Sequence, residues 1–313
     1  MTDYIVHLLI SVAIYSIVGV SFNLLMGFAG IVSIAQAAFF GIGAYAGAAV
    51  AVATGGSVIP SLLAGGLVSA ATSVLLSAPT LRLRGHYMAI ASLGFQFAVY
   101  GVFYNWTAVT GGPMGFGSIP TPRLFGWHVD SLYDYLILTG VCAALATAVL
   151  WWLARAPFGR LLKAIRDDEL AARSLGKNVV LVKTVVFAIS AGFAGVAGCL
   201  YAQYITYIHP DNFMLFESVF ILAIVIVGGL ANVWGAVCGA VVLVALPEAL
   251  RFVDVPYLML GPLRQMIYGA LLVLFVLLRP EGLIPEHGLR ARRVGLARTR
   301  HRATPVAGTG ESR

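Results

Sequence analysis

Charge is scarce in this 313-residue chain. Asp, Glu, Lys and Arg make up 11% of its residues, whereas hydrophobic residues make up 60% and the mean hydropathy is +0.91. Soluble globular domains carry about 25% charged residues, and a domain of this length cannot bury so much apolar surface because its surface-to-volume ratio limits burial. The composition therefore excludes a soluble globular protein and predicts that lipid surrounds most of the chain.

Cysteine is also scarce. The three residues, Cys142, Cys199 and Cys238, lie in apolar stretches. Their spacing matches no metal-binding motif and an odd number of thiols is not a disulfide framework, so we interpret them as small packing residues and predict no metal and no cofactor. The N-terminus has no basic region before its long apolar stretch, so we do not expect a cleavable signal peptide.

Ionisable residues are nearly absent from the middles of the apolar segments. An active site needs titratable groups gathered in a pocket, and proton-driven carriers place such groups inside the membrane. The sequence puts Glu217, Glu248 and Arg264 near the outer ends of their segments. It also lacks the glycine-rich phosphate loop that ends in Gly-Lys and a hydroxyl residue. We therefore predict that the chain is not an enzyme and that any energy from ATP enters through a partner.

Long apolar runs are abundant instead. A membrane-spanning helix needs about 20 mostly apolar residues, and a backbone in lipid must satisfy its own hydrogen bonds. The sequence predicts an all-α, polytopic transmembrane helix bundle of about 8–10 spans, with nine candidates. The candidates are Ile5–Met26, Ala37–Ala53, Ile59–Ala78, Tyr87–Phe103, Leu132–Leu153, Thr184–Ile205, Met214–Leu230, Val233–Leu250 and Pro262–Leu278.

The basic residues predict the orientation. Three groups of two, seven and eight residues contain 17 of the 20 Lys and Arg, and nine alternating spans bring all three to one face. Loops rich in Lys and Arg stay in the cytoplasm, so this face is predicted to be cytoplasmic. The groups are Arg82 and Arg84; Arg155, Arg160, Lys163, Arg166, Arg173, Lys177 and Lys183; and Arg279, Arg290, Arg292, Arg293, Arg298, Arg300, Arg302 and Arg313.

The net charge of +7 is explained by this topology, so we do not predict nucleic-acid binding. We divide the chain into a transmembrane domain, residues 1–285, and a basic cytoplasmic tail, residues 286–313. The tail is Arg-, Gly- and Thr-rich with little apolar content, which is typical of disorder, and its charges can contact anionic membrane lipid.

Glycine is dense, with 35 residues, many inside the predicted spans. Small residues let membrane helices approach closely, and Gly-rich packing is the first interpretation. Some glycines could instead interrupt helices around a substrate path. Two stretches are faintly alike, Gly27-Phe28-Ala29-Gly30 and Gly228-Gly229-Leu230-Ala231, as in internal repeats of transporters.

The segment from Arg155 to Lys183 has structure of its own. Helix formers from Arg160 to Leu175 are bounded by Pro157 and by Gly176, a favoured stop residue, so the sequence predicts one short cytoplasmic helix. Leu161, Ile165, Ala171 and Ala172 form an apolar and small strip, and Glu169 and Arg173 are an i,i+4 pair. A solvated loop that only fixes topology is the alternative to a docking helix.

Six blocks in order along the chain carry a family resemblance. They are Asn23-Leu24-Leu25-Met26-Gly27-Phe28-Ala29-Gly30 running into Ser33–Tyr45, Leu81-Arg82-Leu83-Arg84-Gly85, Thr110-Gly111-Gly112-Pro113-Met114-Gly115, Phe158–Gly176, Gly228-Gly229-Leu230, and Arg279-Pro280-Glu281-Gly282-Leu283. With these blocks the chain resembles the LivM-type permease family of branched-chain amino acid ABC importers.

The resemblance implies a multi-pass protein of the bacterial inner membrane that works with a related second permease subunit, two cytoplasmic ABC ATPase subunits and a periplasmic substrate-binding protein. It also implies a short coupling helix that docks on an ATPase. The residues that resemble the coupling pattern or flank it are Arg160, Arg166, Glu169, Ala171, Ala172 and Gly176, with Leu170 standing between Glu and Ala where the strict pattern has no residue.

Polar residues in or beside spans are candidates for the substrate path, although amides in membranes more often bond neighbouring helices. They are Asn23, Gln36, Gln96 and Asn105. The loop Gly111, Gly112 and Pro113 is first a turn and second a contact for the binding protein. Alternatives to amino-acid import are a same-family permease for urea or short amides, a stand-alone ion-coupled carrier and, last, a membrane enzyme.

Overall fold

The computed structural model describes residues 2–80, 86–124, 127–129, 131–249, 260–278 and 282–284. Helices dominate this part of the chain, and a two-stranded antiparallel ribbon, β1 (Arg123–Leu124) and β2 (Trp127–His128), lies before Leu132. The α-helices are α1 (Thr2–Asn23), α2 (Gln36–Ala53), α3 (Val58–Thr80), α4 (His86–Asn105), α5 (Thr107–Thr110), α6 (Leu132–Arg155), α7 (Pro157–Asp167), α8 (Glu169–Ser174), α9 (Val179–Ile205), α10 (Leu215–Gly228), α11 (Val233–Ala249) and α12 (Leu260–Leu278).

The prediction of a polytopic helical bundle is confirmed. Seven segments of the described chain are long and apolar enough to cross a membrane, and two further apolar helices are shorter. All nine lie where the sequence placed candidate spans. The seven are Asp3–Phe28, Gln36–Ala53, Val58–Leu75, Tyr87–Asn105, Leu132–Arg155, Val179–Ile205 and Pro210–Gly228, and the shorter two are Val233–Leu246 and Gln265–Phe275.

Glycines hold α2, α3 and α9 together. A methyl group added at Gly65 would lie 2.8 Å from the carbonyl oxygen of Gly43 and 3.1 Å from that of Gly195. Three backbones therefore meet where any side chain would separate them, which is how membrane helices pack without a hydrophobic drive. At this contact the glycines therefore act as packing residues, which is the first interpretation given above.

The connections from α1 to α2 and from α9 to α10 contain irregular backbone. A π-helical turn, Leu24–Phe28, follows α1, and residues 29–35 are non-helical until α2 begins at Gln36. Between α9 and α10, residues 206–214 contain only a 3₁₀ turn, Pro210–Phe213. Irregular backbone at membrane depth is tolerated where protein or a cavity surrounds it, and transporters form their binding sites there. The surfaces that these two segments contact are therefore candidates for a binding site.

Three sequence-based predictions fall on residues outside those described. The tail 286–313 lies there, and so do the Leu81–Gly85 block and residues 279–281 of the last block. The disordered, cytoplasmic tail therefore remains a prediction. Gly282 and Leu283 of the last block lie within the described residues.

Candidate functional site

The segment predicted as one cytoplasmic helix is two helices. The α7 helix begins with Pro157, and its Leu162 and Ile165 are buried while Arg160 is exposed. At Asp168 the backbone becomes extended, and the carboxylate of Asp168 accepts hydrogen bonds from the backbone N–H groups of Leu170 and Ala171, at 2.9 and 3.0 Å. Asp168 thus caps a new helix, and the prediction of an unbroken helix from Arg160 to Leu175 was wrong.

Glu169 forms two ion pairs, one of which joins α8 to α9. Glu169 contacts Arg173 at 2.6 Å within α8 and Lys183 at 2.7 Å across to α9. Partial burial pushes the pKa of Glu169 upward, but the hydrogen bonds and charges of Lys183 and Arg173 outweigh this effect and hold the pKa below its ordinary value. The carboxylate is therefore ionised at neutral pH, and α8 is fixed on the end of α9.

The clamp sets which side of α8 faces outward. Ala172 is buried in the core, whereas Ala171 is exposed. Leu170 and Leu175 are large apolar side chains with 65% and 80% of their surface exposed. Gly176 ends the segment in the left-handed region, with φ of 75°. An apolar, largely uncovered surface of Leu170, Ala171 and Leu175 results, which we call the α8 surface.

The α7 helix contacts the interruption that follows α1. The guanidinium of Arg166 donates a hydrogen bond to the carbonyl oxygen of Gly27 at 2.6 Å, and Lys163 lies over the Phe28 ring at 4.9 Å from its centroid. A methyl group at Gly30, whose φ is 69°, would lie 2.6 Å from Cγ of Arg166. The α7 helix therefore packs directly against the turn between α1 and α2. We call this end of the bundle the basic end.

The two similar stretches, Gly27–Gly30 and Gly228–Ala231, meet at the basic end. The side-chain amide of Asn23 donates to the carbonyl oxygens of Gly229 and Asn232, at 3.3 and 2.7 Å, and accepts from the backbone N–H of Ala231 at 2.9 Å. A methyl group at Gly27 would collide with the backbone of Ala231. The turn after α1 and the turn after α10 therefore form one unit.

The block that contains Gly282 closes over this unit. The backbone N–H of Leu283 donates to the carbonyl oxygen of Val227 at 2.8 Å, and that of Ile284 to Gly228 at 3.1 Å. A methyl group at Gly282 would overlap Gly229. Blocks from the start, middle and end of the sequence therefore lie together, which sequence spacing alone does not indicate.

A second cluster lies deeper, around the beginning of α2. We call it the interior polar cluster, and its side chains are at most 2% exposed; it consists of Gln36, Ser92, Gln96, Ser190 and Ser218. The first backbone N–H groups of α2, at Ala37 and Ala38, donate to Ser218 at 3.0 Å and to Gln96 at 2.8 Å. Gln96 also donates to the carbonyl oxygen of Phe213 at 2.7 Å. Side chains from α4 and α10 thus satisfy the donors of a helix that begins inside the bundle.

The four predicted path residues differ in whether the polar atoms of their side chains have hydrogen-bond partners. Asn23 and Gln96 use both ends of their amides in the bonds described above. Asn105 is exposed at the end of α4 and donates to the carbonyl of Gly101 in its own helix. Gln36 donates to Ser190 at 3.4 Å, but its Oε1 is buried without a hydrogen-bond partner. Gln36 alone among these four keeps a buried polar atom without a hydrogen-bond partner.

Glu217 is a candidate residue that the sequence analysis misplaced. Its Oε1 accepts a hydrogen bond of 2.6 Å from the hydroxyl of Tyr15. Tyr15 is midway along the segment Asp3–Phe28, about 20 Å from the start of α1 at 1.5 Å per residue, so the assignment of Glu217 to the outer face is corrected. The signal available in the sequence was an acidic residue inside an apolar run, which marks function by default.

The loop Gly111, Gly112 and Pro113 is a built turn at the end opposite to α7. Both glycines have positive φ, and the Tyr207 hydroxyl donates to the Met114 carbonyl oxygen at 2.8 Å. Phe116 forms an antiparallel bridge with Ile208, which fixes the loop on the connection between α9 and α10. Met114 projects from the turn with 83% of its surface exposed.

The described residues contain no group of three His, Cys, Asp or Glu side chains that could hold a metal ion. Their polar groups connect helices and gather at two junctions.

Known proteins match the chain along most of its length. Residues 4–276 match the family described as branched-chain amino acid transport system / permease component. The chain is 37% identical over 297 residues to the high-affinity branched-chain amino acid transport system permease protein LivM of Salmonella typhimurium. The match covers 87% of this chain and 68% of that protein.

The corresponding LivM of Escherichia coli is 36% identical with the same coverage. The probable branched-chain amino acid transport permease protein LivM of Methanocaldococcus jannaschii is 25% identical over 91% of this chain and 94% of that protein. No solved structure matches the chain significantly. This multi-pass membrane protein therefore belongs to the family of permease components of branched-chain amino acid transport systems.

Proposed function

We propose that the chain is the membrane-spanning permease subunit of an ATP-driven importer for branched-chain amino acids in the bacterial inner membrane. The observation that carries the proposal is the 37% identity to a LivM permease over 87% of the chain. The chain itself makes and breaks no covalent bond in this role. Its work is to expose a path to one face of the membrane and then to the other.

The α8 surface is the proposed contact for an ATPase. Exposed Leu170 and Leu175 flank the small Ala171 on a helix whose neighbours are charged. An uncovered apolar patch rimmed by polar residues is typical of a protein interface. Leu170, which departs from the strict coupling pattern, supplies part of this patch. Two ATPases and a related second permease would complete the importer, with one ATPase on each permease.

Force from the ATPase would reach the path through α7. The bond between Arg166 and the Gly27 carbonyl ties α7 to the turn before α2, and Asn23 ties that turn to the one after α10. Both α2 and α10 contribute to the interior polar cluster. A shift of α7 would therefore move the helix starts that surround the path rather than one isolated helix.

On the opposite end, the Gly111–Pro113 turn is the proposed contact for the periplasmic binding protein. Its backbone is fixed by Tyr207, while Met114 projects outward. A rigid turn that presents one flexible apolar side chain suits a partner that docks and leaves.

Reconstitution tests the function. Vesicles that contain the chain with its second permease, ATPases and binding protein should accumulate leucine with ATP, and vesicles without the ATPases should not. Movement of leucine down an ion gradient by the chain alone would instead identify an ion-coupled carrier. Uptake of urea or short amides, with none of leucine, would identify the same-family alternative.

The substitution Ala171→Arg tests the coupling surface. A large charged side chain should prevent close docking, so ATP-dependent uptake should be lost while the chain still enters the membrane. The control is Thr121→Arg, at an exposed position on the opposite end, which should leave uptake near the wild-type rate. Unchanged uptake by Ala171→Arg would reject the α8 surface as the docking site.

Orientation is tested separately. A cysteine placed at exposed Ser174, in a background without native cysteines, should react with a membrane-impermeant thiol reagent only after the cells are opened. Labelling of intact cells would place the α8 surface outside, and the importer proposal would fail with it.

A further inference from the structure

The carboxylate of Glu217 lies in the interior with few partners. Among the described side chains it has one hydrogen bond, from the Tyr15 hydroxyl, and no ion-pair partner. An ionised carboxylate offers about four acceptor positions, and an uncompensated charge in a low-dielectric interior is costly. The surface of Glu217 is not fully covered by the rest of the described chain. The residue therefore has acceptor capacity for a cation.

Aromatic rings cluster around Tyr15, the hydrogen-bond partner of Glu217. The Tyr15 ring meets Phe220 edge to face at 5.0 Å between centroids and stacks on Phe40 at 6.3 Å. Phe220 lies 4.6 Å from Tyr268 of α12, and Phe40 lies 5.4 Å from Tyr201 of α9. The faces of aromatic rings attract organic cations, and clusters of them recognise ammonium groups. Carboxylate and rings together favour an organic ammonium over a hydrated metal ion.

A buried acceptor on α2 also lacks a hydrogen-bond donor. Gln36 lies one helical turn before Phe40 on α2, and its buried Oε1 is an acceptor without a donor. A Tyr–Glu bond that served only to join α1 to α10 would be made equally well by a neutral amide, without the cost of a buried charge. Two acceptors with unused capacity, one of them a carboxylate, match a ligand that is rich in N–H donors.

We propose that Glu217 binds the α-ammonium group of the amino acid during its passage through the bundle. Tyr15 orients the carboxylate, and the aromatic rings line the site for the ammonium and the first carbons of the substrate. Gln36 offers Oε1 as a further acceptor. This inference rests on the proposed importer function and adds the residue that recognises the common part of its substrates.

The test uses the complete importer in proteoliposomes, with leucine as the probe and the binding protein at saturation. Replacing Glu217 with Gln keeps the shape and the Tyr15 bond but removes the charge. Loss of a charged hydrogen-bond partner should lower leucine taken up per ATP hydrolysed about tenfold. Glu217→Asp, which keeps the charge, should lose less, and Tyr15→Phe should lose less than Glu217→Gln.

Asp211→Asn is the matched control, because Asp211 also accepts a tyrosine hydrogen bond, from Tyr100 at 2.8 Å, but at an exposed position. It should keep the wild-type ratio of uptake to hydrolysis. Equal ratios in wild type and Glu217→Gln would overturn the inference. Equal losses in Glu217→Gln, Glu217→Asp and Tyr15→Phe would also overturn it, because they would indicate a structural bond only.

Charge rescue keeps the test decisive if Glu217→Gln does not assemble. Glu217→Cys, in a background without native cysteines, is treated in the assembled importer with a sulfonate-bearing or a neutral thiosulfonate reagent. The sulfonate should restore uptake and the neutral adduct should not, and the reverse result rejects the site. Failure of the wild-type importer to accumulate leucine would reject the proposed function itself, which is a separate outcome.

Discussion

Asn23 provides a quantitative test of the junction at the basic end. Its side chain is fully buried and makes three hydrogen bonds to the backbone of the turn after α10. Asn23→Ala leaves those backbone groups without partners. A buried hydrogen bond contributes about 1 kcal/mol in soluble proteins and about 0.6 kcal/mol between membrane helices, so the loss should be about 2–3 kcal/mol. For a chain of this size that corresponds to a melting temperature lower by about 5 °C.

The assay is thermal unfolding of the purified importer, followed by intrinsic fluorescence. Asn105→Ala is the control, because Asn105 is an exposed amide whose bond to Gly101 lies within its own helix. Its melting temperature should change by less than about 1 °C. The reasoning is refuted if Asn23→Ala keeps the wild-type melting temperature and loses uptake, since that result would make Asn23 a substrate-path residue.

Two further predictions concern the contacts of α7 and α8. Gly30→Val should abolish uptake because its side chain would collide with Arg166, whereas Gly55→Val, at a similar φ of 66° with open space around it, should keep uptake; equal losses would point to backbone strain alone. Glu169→Gln should raise hydrogen exchange in α8 at neutral pH. Because the pKa of Glu169 is lowered, largely by Lys183 against the opposing effect of burial, the clamp is complete above the ordinary carboxylate pKa of about 4.3 and is lost as pH falls further. Wild type and variant should therefore exchange alike in acid, and a difference that persists there would contradict the clamp.

The coupling segment shows how far local sequence signals reach. Pro157 and Gly176 marked its ends, and both lie where the sequence predicted a start and a stop. The break at Asp168 was missed because Asp inside a run of helix formers resembles a charged helix face. Its carboxylate caps α8 instead, and the contact between Glu169 and Lys183 turns α8 onto α9. That contact lies 14 residues along the chain, beyond helical spacing.

The substrate-path candidates show the complementary limit. Asn23, Gln36, Gln96 and Asn105 are all amides near apolar segments, and nothing in the sequence distinguishes them. The folded chain separates them by partners: the amides of Asn23 and Gln96 are fully bonded, Asn105 faces outward, and Gln36 keeps an unfilled acceptor. For Asn23, Gln36 and Gln96 the partners are more than 50 residues away, so hydrogen-bond satisfaction cannot be predicted from local pattern.

The sequence by itself determined that the protein is a membrane helix bundle, because hydropathy and length act locally: about 20 apolar residues in lipid must close their own hydrogen bonds. It also determined where the spans lie. The tertiary structure alone decided that the glycine stretches of residues 27–30 and 228–231 meet and that Glu217 faces Tyr15 in the interior. Those relations depend on which helices pack together and at what depth, and helix packing is set by the whole surface of each helix rather than by any short segment of sequence.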